Sequence, residues 1–437
     1  MQYYSTNKNA PLVGLSEAVI RGLAPDRGLY MPERIKTLDT CFFDHIQNMS
    51  FQEIAYAVAE AFFGEDVEGS ALRQIVRDTL TFDTPVVQLI PDIYSLELFH
   101  GPTLAFKDVG ARFMARLLQY FIRREGNNKI NVLVATSGDT GSAVANGFLG
   151  VQGIHVYVLY PSGKVSAIQE SQFTTLGNNI TAIEINGVFD DCQSLVKAAF
   201  IDETLNSRLC LTSANSINVA RFLPQTFYYF NAYAQMKRLG KAHNLVVCVP
   251  SGNFGNITAG LFAQRMGLPI TRFIAANNAN NVFYHYLRTG KYTPQPSKQT
   301  IANAMDVGNP SNFARIYDLY GGSWETIKSH ISGTTYTDEQ IRETMHTCHQ
   351  HTGYVLDPHG ACGYRALFEQ LHTGETGLFL ETAHPAKFKQ EVDRTLGINI
   401  DLPTRLAAFT KGTKQSVPLE NDFQALKHLL LSGEATE

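Results

Sequence analysis

The 437-residue chain is poor in cysteine, with Cys41, Cys192, Cys210, Cys248, Cys348 and Cys362 dispersed along it and no C-x-x-C pair among them. That pattern argues against a disulfide framework or a paired-cysteine metal site, and it fits buried free thiols in a reducing compartment. Charged residues make up only 17%, with a net charge of −4, so nothing in the total points to nucleic acid or an anionic membrane as partner. A local basic site for a small anion remains compatible with it. No apolar run approaches the roughly 20 residues needed to span a bilayer. The opening stretch MQYYSTNKNAP lacks the basic-then-apolar layout of a secretion signal. The expected location is the cytoplasm, with no membrane and no nucleic acid as partner. An H-E-x-x-H helix, clustered carboxylates and a G-x-S-x-G elbow are all missing, and the 13 histidines are scattered, so no metal site and no hydrolytic triad are expected.

What is there is an apolar fraction of 44% in a chain long enough for two or three domains. Residues 1–95 read as a helix-rich region, with helices opening at Ser16 and spanning 51–63. From there, short apolar runs alternate with helical patterns. Strands are expected at 131–135, 155–160, 180–185, 209–212, 245–249, 272–275 and 378–380. Helices are expected near 140–149, 164–176, 189–205, 217–239 and 256–266. Such alternation, with near-continuous apolar strands, predicts an α/β fold of two open, mostly parallel sheets covered by helices. The division expected is a smaller α/β domain over 96–212 and a larger one over 213–437.

In sheets of this kind ligands bind beyond the carboxyl ends of strands, where loops lead into helices. Several segments have that layout. In ELFHGPTLAFKDVGAR (97–112), Lys107 stands where a helix begins. Asp108 is positioned to cap that helix, and Val109, Phe113, Leu117 and Phe121 repeat along it. The helix dipole and burial beside Phe106 would both favour a neutral, nucleophilic amine; the alternative is a solvated lysine. Ser251-Gly252-Asn253-Phe254-Gly255-Asn256 follows LVVCVP and suits a phosphate, or simply a tight strand-to-helix turn. Ser137-Gly138-Asp139-Thr140 offers hydroxyls and N–H groups to a carboxylate or phosphate, although Asp139 is awkward there and either caps the helix or faces a donor. Asn215, Ser216, Asn218 and Arg221 suit a phosphate monoester, or a capped helix with a solvated arginine. His384 in ETAHPAK and His359 in YVLDPHG stand in similar places and read as packed residues or as ligands.

Taken in order, the runs YYSTN, GLAPDRGLYMP, LFHGPTLAFKD, ATSGDTGSA, YPSGKVS, TSANSIN, PSGNFGN and ETAHPAKF resemble the threonine synthases. These are pyridoxal-phosphate enzymes of the tryptophan-synthase-β fold type, and the likeness is to the longer microbial branch with an extra N-terminal region. The resemblance implies fold type II and pyridoxal 5'-phosphate held by Lys107 as a Schiff base. It implies that Ser251, Gly252, Asn253, Phe254, Gly255 and Asn256 cradle the cofactor phosphate and that Thr382 meets the pyridine nitrogen. Ser137, Gly138, Asp139 and Thr140 would grip the substrate carboxylate, and Asn215, Asn218 and Arg221 the substrate phosphate, with Arg112 and Lys164 as further positive charge. An aspartate at position 139 needs a proton or a cation opposite it. The implied reaction converts O-phospho-L-homoserine and water to L-threonine and phosphate, the last step of threonine biosynthesis, in a monomer or homodimer. The alternatives are a phospho-lyase or dehydratase on the same scaffold that releases 2-oxobutyrate, or a cofactor-binding protein without turnover.

Overall fold

Runs dominated by apolar residues become central strands, because both faces of a parallel sheet are covered by helices. LVVCVP (Leu245–Pro250) and TGLFLE (Thr376–Glu381) are buried along their whole length. The computed structural model describes residues 1–126 and 129–432. In chain order the strands are β1 (Gln2–Ser5), β2 (Val13–Gly14), β3 (Tyr30–Pro32), β4 (Val86–Ile90), β5 (Ile93–Glu97), β6 (Ile130–Ala135) and β7 (Ile154–Pro161). They continue as β8 (Ile180–Asn186), β9 (Cys210–Ser213), β10 (Leu245–Pro250), β11 (Arg272–Asn277), β12 (Ile331–Thr335), β13 (Thr376–Glu381) and β14 (Val417–Glu420).

These strands form two large sheets and one small one. The six-stranded sheet runs β12-β11-β10-β13-β5-β4, parallel except for β4, which lies antiparallel to β5. The five-stranded sheet runs β14-β8-β7-β6-β9 and is parallel throughout. β1, β2 and β3 make a small antiparallel sheet.

The architecture departs from the sequence reading at the sheet edges. The N-terminal region, read as helix-rich, also holds β1 to β4, and β5 leaves it to pair with β13. Likewise β14, from the C-terminal part, closes the edge of the five-stranded sheet by pairing with β8. Edge strands are half-exposed and short, so their pattern carries little apolar signal. The helix expected over 217–239 is three pieces, Val219–Phe222, a 3-10 turn Leu223–Gln225, and Thr226–Arg238. Pro224 has no N–H to continue the first ladder. The segment 189–205 breaks at Asp202, whose carboxylate accepts from the Leu205 N–H and caps a second helix, Glu203–Arg208. Phe51–Phe63 forms as expected, closed by a reciprocal capping box between Ser50 and Glu53.

The two large sheets matter for function because their carboxyl ends converge. The loops after β6, β9, β10 and β13 carry Ser137, Asn215, Ser251 and Thr382 respectively, and all four line one cavity.

Candidate active site

Lys107 is the first residue of the helix Lys107–Glu125, and the preceding Phe106 provides no side-chain cap. Asp108 does not cap the helix either. Its carboxylate turns back and accepts from Thr103, at 2.9 Å from the amide and 2.6 Å from the hydroxyl, pinning the HGPT turn. The Phe106 N–H donates to the Thr382 carbonyl at 2.9 Å, so the lysine loop is stitched to the end of β13. Lys107 keeps some exposed surface, where it lines the cavity, but the dense protein around its amine dominates. Burial therefore lowers its pKa to about 8; Asp139 acts in the opposite sense, and Lys387 and Arg221 add to the lowering.

The turn Ser251–Asn256 lies across the cavity. Phe254 adopts a left-handed conformation, φ 63° and ψ 9°, which turns the chain into the helix Gly255–Arg265 with no side-chain cap on its first turn. Its N–H groups and the helix dipole give the turn the character of an anion cradle. Gly252 has backbone packed close on it: a Cβ there would stand 2.7 Å from the Ala304 carbonyl oxygen. Asn256 Nδ2 is buried and lacks a hydrogen-bond partner among the described residues, and Asn256 lines the cavity. The side chains of Ser251 and Asn253 are already committed: Ser251 Oγ donates to the Val249 carbonyl at 2.8 Å, and Asn253 Nδ2 donates to Ser216 Oγ at 2.8 Å. The cradle is thus mainly backbone, with Asn256 as its free amide. An amine whose pKa burial lowers to about 8, an anion cradle with an orphaned donor and the Thr382 side chain around one cavity fit pyridoxal phosphate.

The remaining candidates divide. Ser137, Thr140, Asn215 and Arg221 reach the cavity. Arg221 is buried and donates through Nε to the Ala214 carbonyl at 2.7 Å and through Nη1 to the Lys107 carbonyl at 3.2 Å. Gly138 caps the helix Asp139–Phe148 at φ 140°, and a Cβ there would meet the Gln169 side chain at 2.7 Å. Asp139 does not line the cavity, and its side chain does not cap the helix. Its Oδ1 lies 2.6 Å from Lys387 Nζ and accepts from Gln169 Nε2 at 2.9 Å. Burial would push that carboxyl up, but Lys387 and Lys107 together hold it below the usual carboxylate range.

Asn218 is a correction. Its Oδ1 accepts from the Ala220 N–H at 3.0 Å as a helix cap, and its Nδ2 donates to the carbonyls of Val19 at 2.9 Å and Ser213 at 3.1 Å. A fully buried amide with both ends satisfied by backbone has nothing left for a phosphate. Arg112 is spent on the carbonyls of Thr79 and Asp78, and Lys164 is exposed and does not line the cavity.

Lys387, Gln169 and Asn312, which the sequence did not single out, complete the surroundings of the site together with Ser216 and His359, which it did. Lys387 and Gln169 hold Asp139, and Ser216 Oγ accepts from both Asn253 and Asn312. His359 lines the cavity with a fixed ring: Nδ1 faces Asp357 Oδ1 at 2.8 Å, and Nε2 accepts from the Ala304 N–H at 3.2 Å, so a neutral ring carries its proton on Nδ1. His384 packs against Phe99 and caps its own turn, accepting from the Ala386 N–H; burial lowers its pKa to about 4.

Comparison with known proteins agrees with this geometry. Residues 79–377 match the pyridoxal-phosphate dependent enzyme family, 2–80 match the threonine synthase N terminus, and 360–430 match the threonine synthase C-terminal family. The threonine synthase of Haemophilus influenzae is 43% identical over 434 residues, 99% of this chain and 100% of that protein. The chain belongs to the threonine synthase family. The crystal structure of the Escherichia coli threonine synthase superposes with a TM-score of 0.93 at 42% identity, covering 99% of this chain and 100% of that one. The pyridoxal-phosphate-bound threonine synthase of Brucella melitensis superposes with a TM-score of 0.91 at 34% identity, covering 98% of each chain. As a threonine synthase family member the protein is a pyridoxal-phosphate-dependent lyase of fold type II. Among the described residues no helix is long and apolar enough to cross a membrane.

Proposed function

We propose that this protein converts O-phospho-L-homoserine and water to L-threonine and phosphate, with Lys107 as attachment point and proton carrier. The observation that carries this reading is the presence, around one cavity, of Lys107, the Ser251–Asn256 cradle and a second cation, Arg221. Simple dehydration of an amino acid requires only the first two; a phosphorylated substrate gives Arg221 a purpose.

Pyridoxal phosphate, when bound, supplies an electron sink for charge developing on the substrate carbons. The turn Ser251–Asn256 and the first N–H groups of its helix would hold the cofactor phosphate, and the Thr382 hydroxyl would face the pyridine nitrogen. Ser137 and Thr140 would take the substrate carboxylate at the start of the helix Asp139–Phe148. The N–H groups of Gly138 and Gly141 are held by Thr136 Oγ1, at 2.9 and 2.7 Å, which shapes that loop without filling the cavity. Arg221 and Asn215 would meet the substrate phosphate. Lys107, with its pKa lowered to about 8 by burial, would take the proton from substrate Cα and pass protons at Cβ and Cγ near neutral pH. Burial of these groups strengthens each charge interaction and limits stray water.

The test is an assay of phosphate and threonine with O-phospho-L-homoserine. Equal yields of both support the reading. Phosphate with 2-oxobutyrate in place of threonine would identify a phospho-lyase, and no phosphate release would mean a cofactor-binding protein without this turnover. We place the activity in the cytoplasm, which the free state of all six cysteines supports.

A further inference from the structure

Lys387 has no part in the reaction just described, yet it is among the most deeply buried charges of the molecule. It sits on the 3-10 turn Pro385–Phe388, just beyond Thr382. Its Nζ contacts Asp139 Oδ1 at 2.6 Å and donates to the Thr103 carbonyl at 2.9 Å. Gln169 Nε2 completes the set by donating to the same Asp139 oxygen at 2.9 Å. The carboxylate belongs to the helix after β6, the ammonium to the turn after β13, and Thr103 to the loop leading into Lys107. Buried ion pairs seldom stabilise a fold more than apolar side chains of the same size would. Stability alone is therefore a poor reason for placing two full charges here.

We propose that Lys387 is a positioning residue for Lys107: by engaging Asp139 it prevents that carboxylate from acting as the counter-ion that would keep the Lys107 amine protonated. The inference rests on the function proposed above only in taking Lys107 as the attachment point. The charges facing Lys107 are Asp139 from the helix Asp139–Phe148, Lys387 from its turn, Arg221 from the helix Val219–Phe222, and Asp357 from the N-cap of the helix Pro358–Gln370. Asp139 and Asp357 favour the ammonium; Lys387 and Arg221 oppose it. With Lys387 in place, its repulsion of the amine opposes the attraction of Asp139. Without it, Asp139 would be left with Lys107 as its nearest available cation, and two buried opposite charges would lock together.

This model makes two substitutions move one quantity in opposite directions, which general damage to the site would not do. The full-length protein is freed of cofactor and mixed with pyridoxal 5'-phosphate. The rate at which the visible absorption of the lysine-bound cofactor develops is then followed against pH, and the holoenzyme is titrated by the same absorption. Lys387→Met raises the pH midpoint of attachment by roughly 1–3 units, the size expected when an opposite charge loses its competitor. Asp139→Asn lowers the midpoint. Lys387→Arg keeps the wild-type midpoint, and the double variant Asp139→Asn/Lys387→Met returns toward it. Midpoints that move the same way in the two single variants, or an unmoved Lys387→Met, overturn the proposal. Should Lys387→Met not fold, Asp139→Asn and the double variant decide: a midpoint that Asp139→Asn leaves in place or raises overturns it. A wild type that never develops the absorption ends both this inference and the proposed function. One that develops it but releases no phosphate from O-phospho-L-homoserine ends the substrate reading alone.

Discussion

Asp108 holds Thr103 at both its amide and its hydroxyl, 2.9 and 2.6 Å away, so the residue after Lys107 fixes the turn that leads into it. The contact is buried on both sides, and Gly101 leaves the space for it: a Cβ there would fall 2.4 Å from Asp108 Oδ2. Asp108→Ala orphans two buried donors at about 1–3 kcal/mol each. The expected outcome is a lower thermal midpoint together with weaker retention of cofactor, because the start of the Lys107 helix loses its anchor. Asp108→Asn keeps an acceptor and should lose clearly less. Thermal unfolding with and without pyridoxal 5'-phosphate measures both, and equal losses in the two variants would contradict the anchoring role.

Lys107 itself should cost the fold stability. Its pKa is lowered from 10.5 to about 8, chiefly by burial, so between those values the unfolded chain binds a proton that the folded chain does not. Stability therefore rises with pH across that window, and the full penalty is present below about 8. At ~1.4 kcal/mol per unit the penalty is on the order of 3 kcal/mol, less whatever hydration the cavity supplies. Cofactor-free Lys107→Met is expected to melt above the cofactor-free wild type at pH 7, with the gap closing toward pH 10. The same variant should show no visible absorption with cofactor. A variant that melts below the wild type at pH 7 would mean that Lys107 is not under this strain.

The candidate loops were most legible where they follow a strand that is buried along its whole length. Ser251–Asn256 after β10 and the segment 381–387 after β13 stand out because a fully buried parallel strand leaves only its carboxyl end for ligands, whereas Thr382 itself was picked out only by the family resemblance. Asn218 shows the limit of that pattern. A helix cap and an anion site use the same residue types at the same offsets, and only the positions of the Val19 and Ser213 carbonyls decide between them. Lys387 was invisible as a functional residue because its partner Asp139 starts a helix that follows a strand of the other sheet, and nothing local distinguishes a buried lysine from a solvated one. Strand β14 was missed for a related reason, since it is an edge strand whose partner β8 comes from a distant stretch of chain, whereas β4 is a half-exposed edge strand paired with its neighbour β5.

Arg221 and Asn218, three residues apart, should separate cleanly in kinetics. Arg221→Ala removes a cavity cation and is expected to raise KM for O-phospho-L-homoserine at least tenfold, the loss of about 1.4 kcal/mol or more of charge-assisted contact, while weakening cofactor binding less. Asn218→Ala removes a cap and two buried hydrogen bonds. It should lower stability by about 1–3 kcal/mol and leave KM near the wild-type value. Steady-state kinetics and thermal unfolding of both variants check this; a large KM increase in Asn218→Ala would restore that residue to the phosphate site.

Gly252 offers the sharpest test of the cradle. A Cβ there would stand 2.7 Å from both the Ala304 carbonyl oxygen and Met305 Cα, which are backbone atoms and cannot rotate aside. The opposing segment is itself restrained, since the Ala304 N–H donates to His359 Nε2 and the Ala302 carbonyl accepts from Asn278 Nδ2. The added methyl must therefore shift the turn, and overpacking of this kind costs about 1–3 kcal/mol. If the turn holds the cofactor phosphate, most of that cost appears in binding, as a roughly 10- to 100-fold increase in the Kd for pyridoxal 5'-phosphate. Gly14 is the matched control: its φ is −75° and nothing lies within 4 Å of its Cβ position, so Gly14→Ala should leave the Kd in place. A Gly252→Ala protein that melts lower but binds the cofactor as tightly as the wild type would place the phosphate somewhere other than this turn.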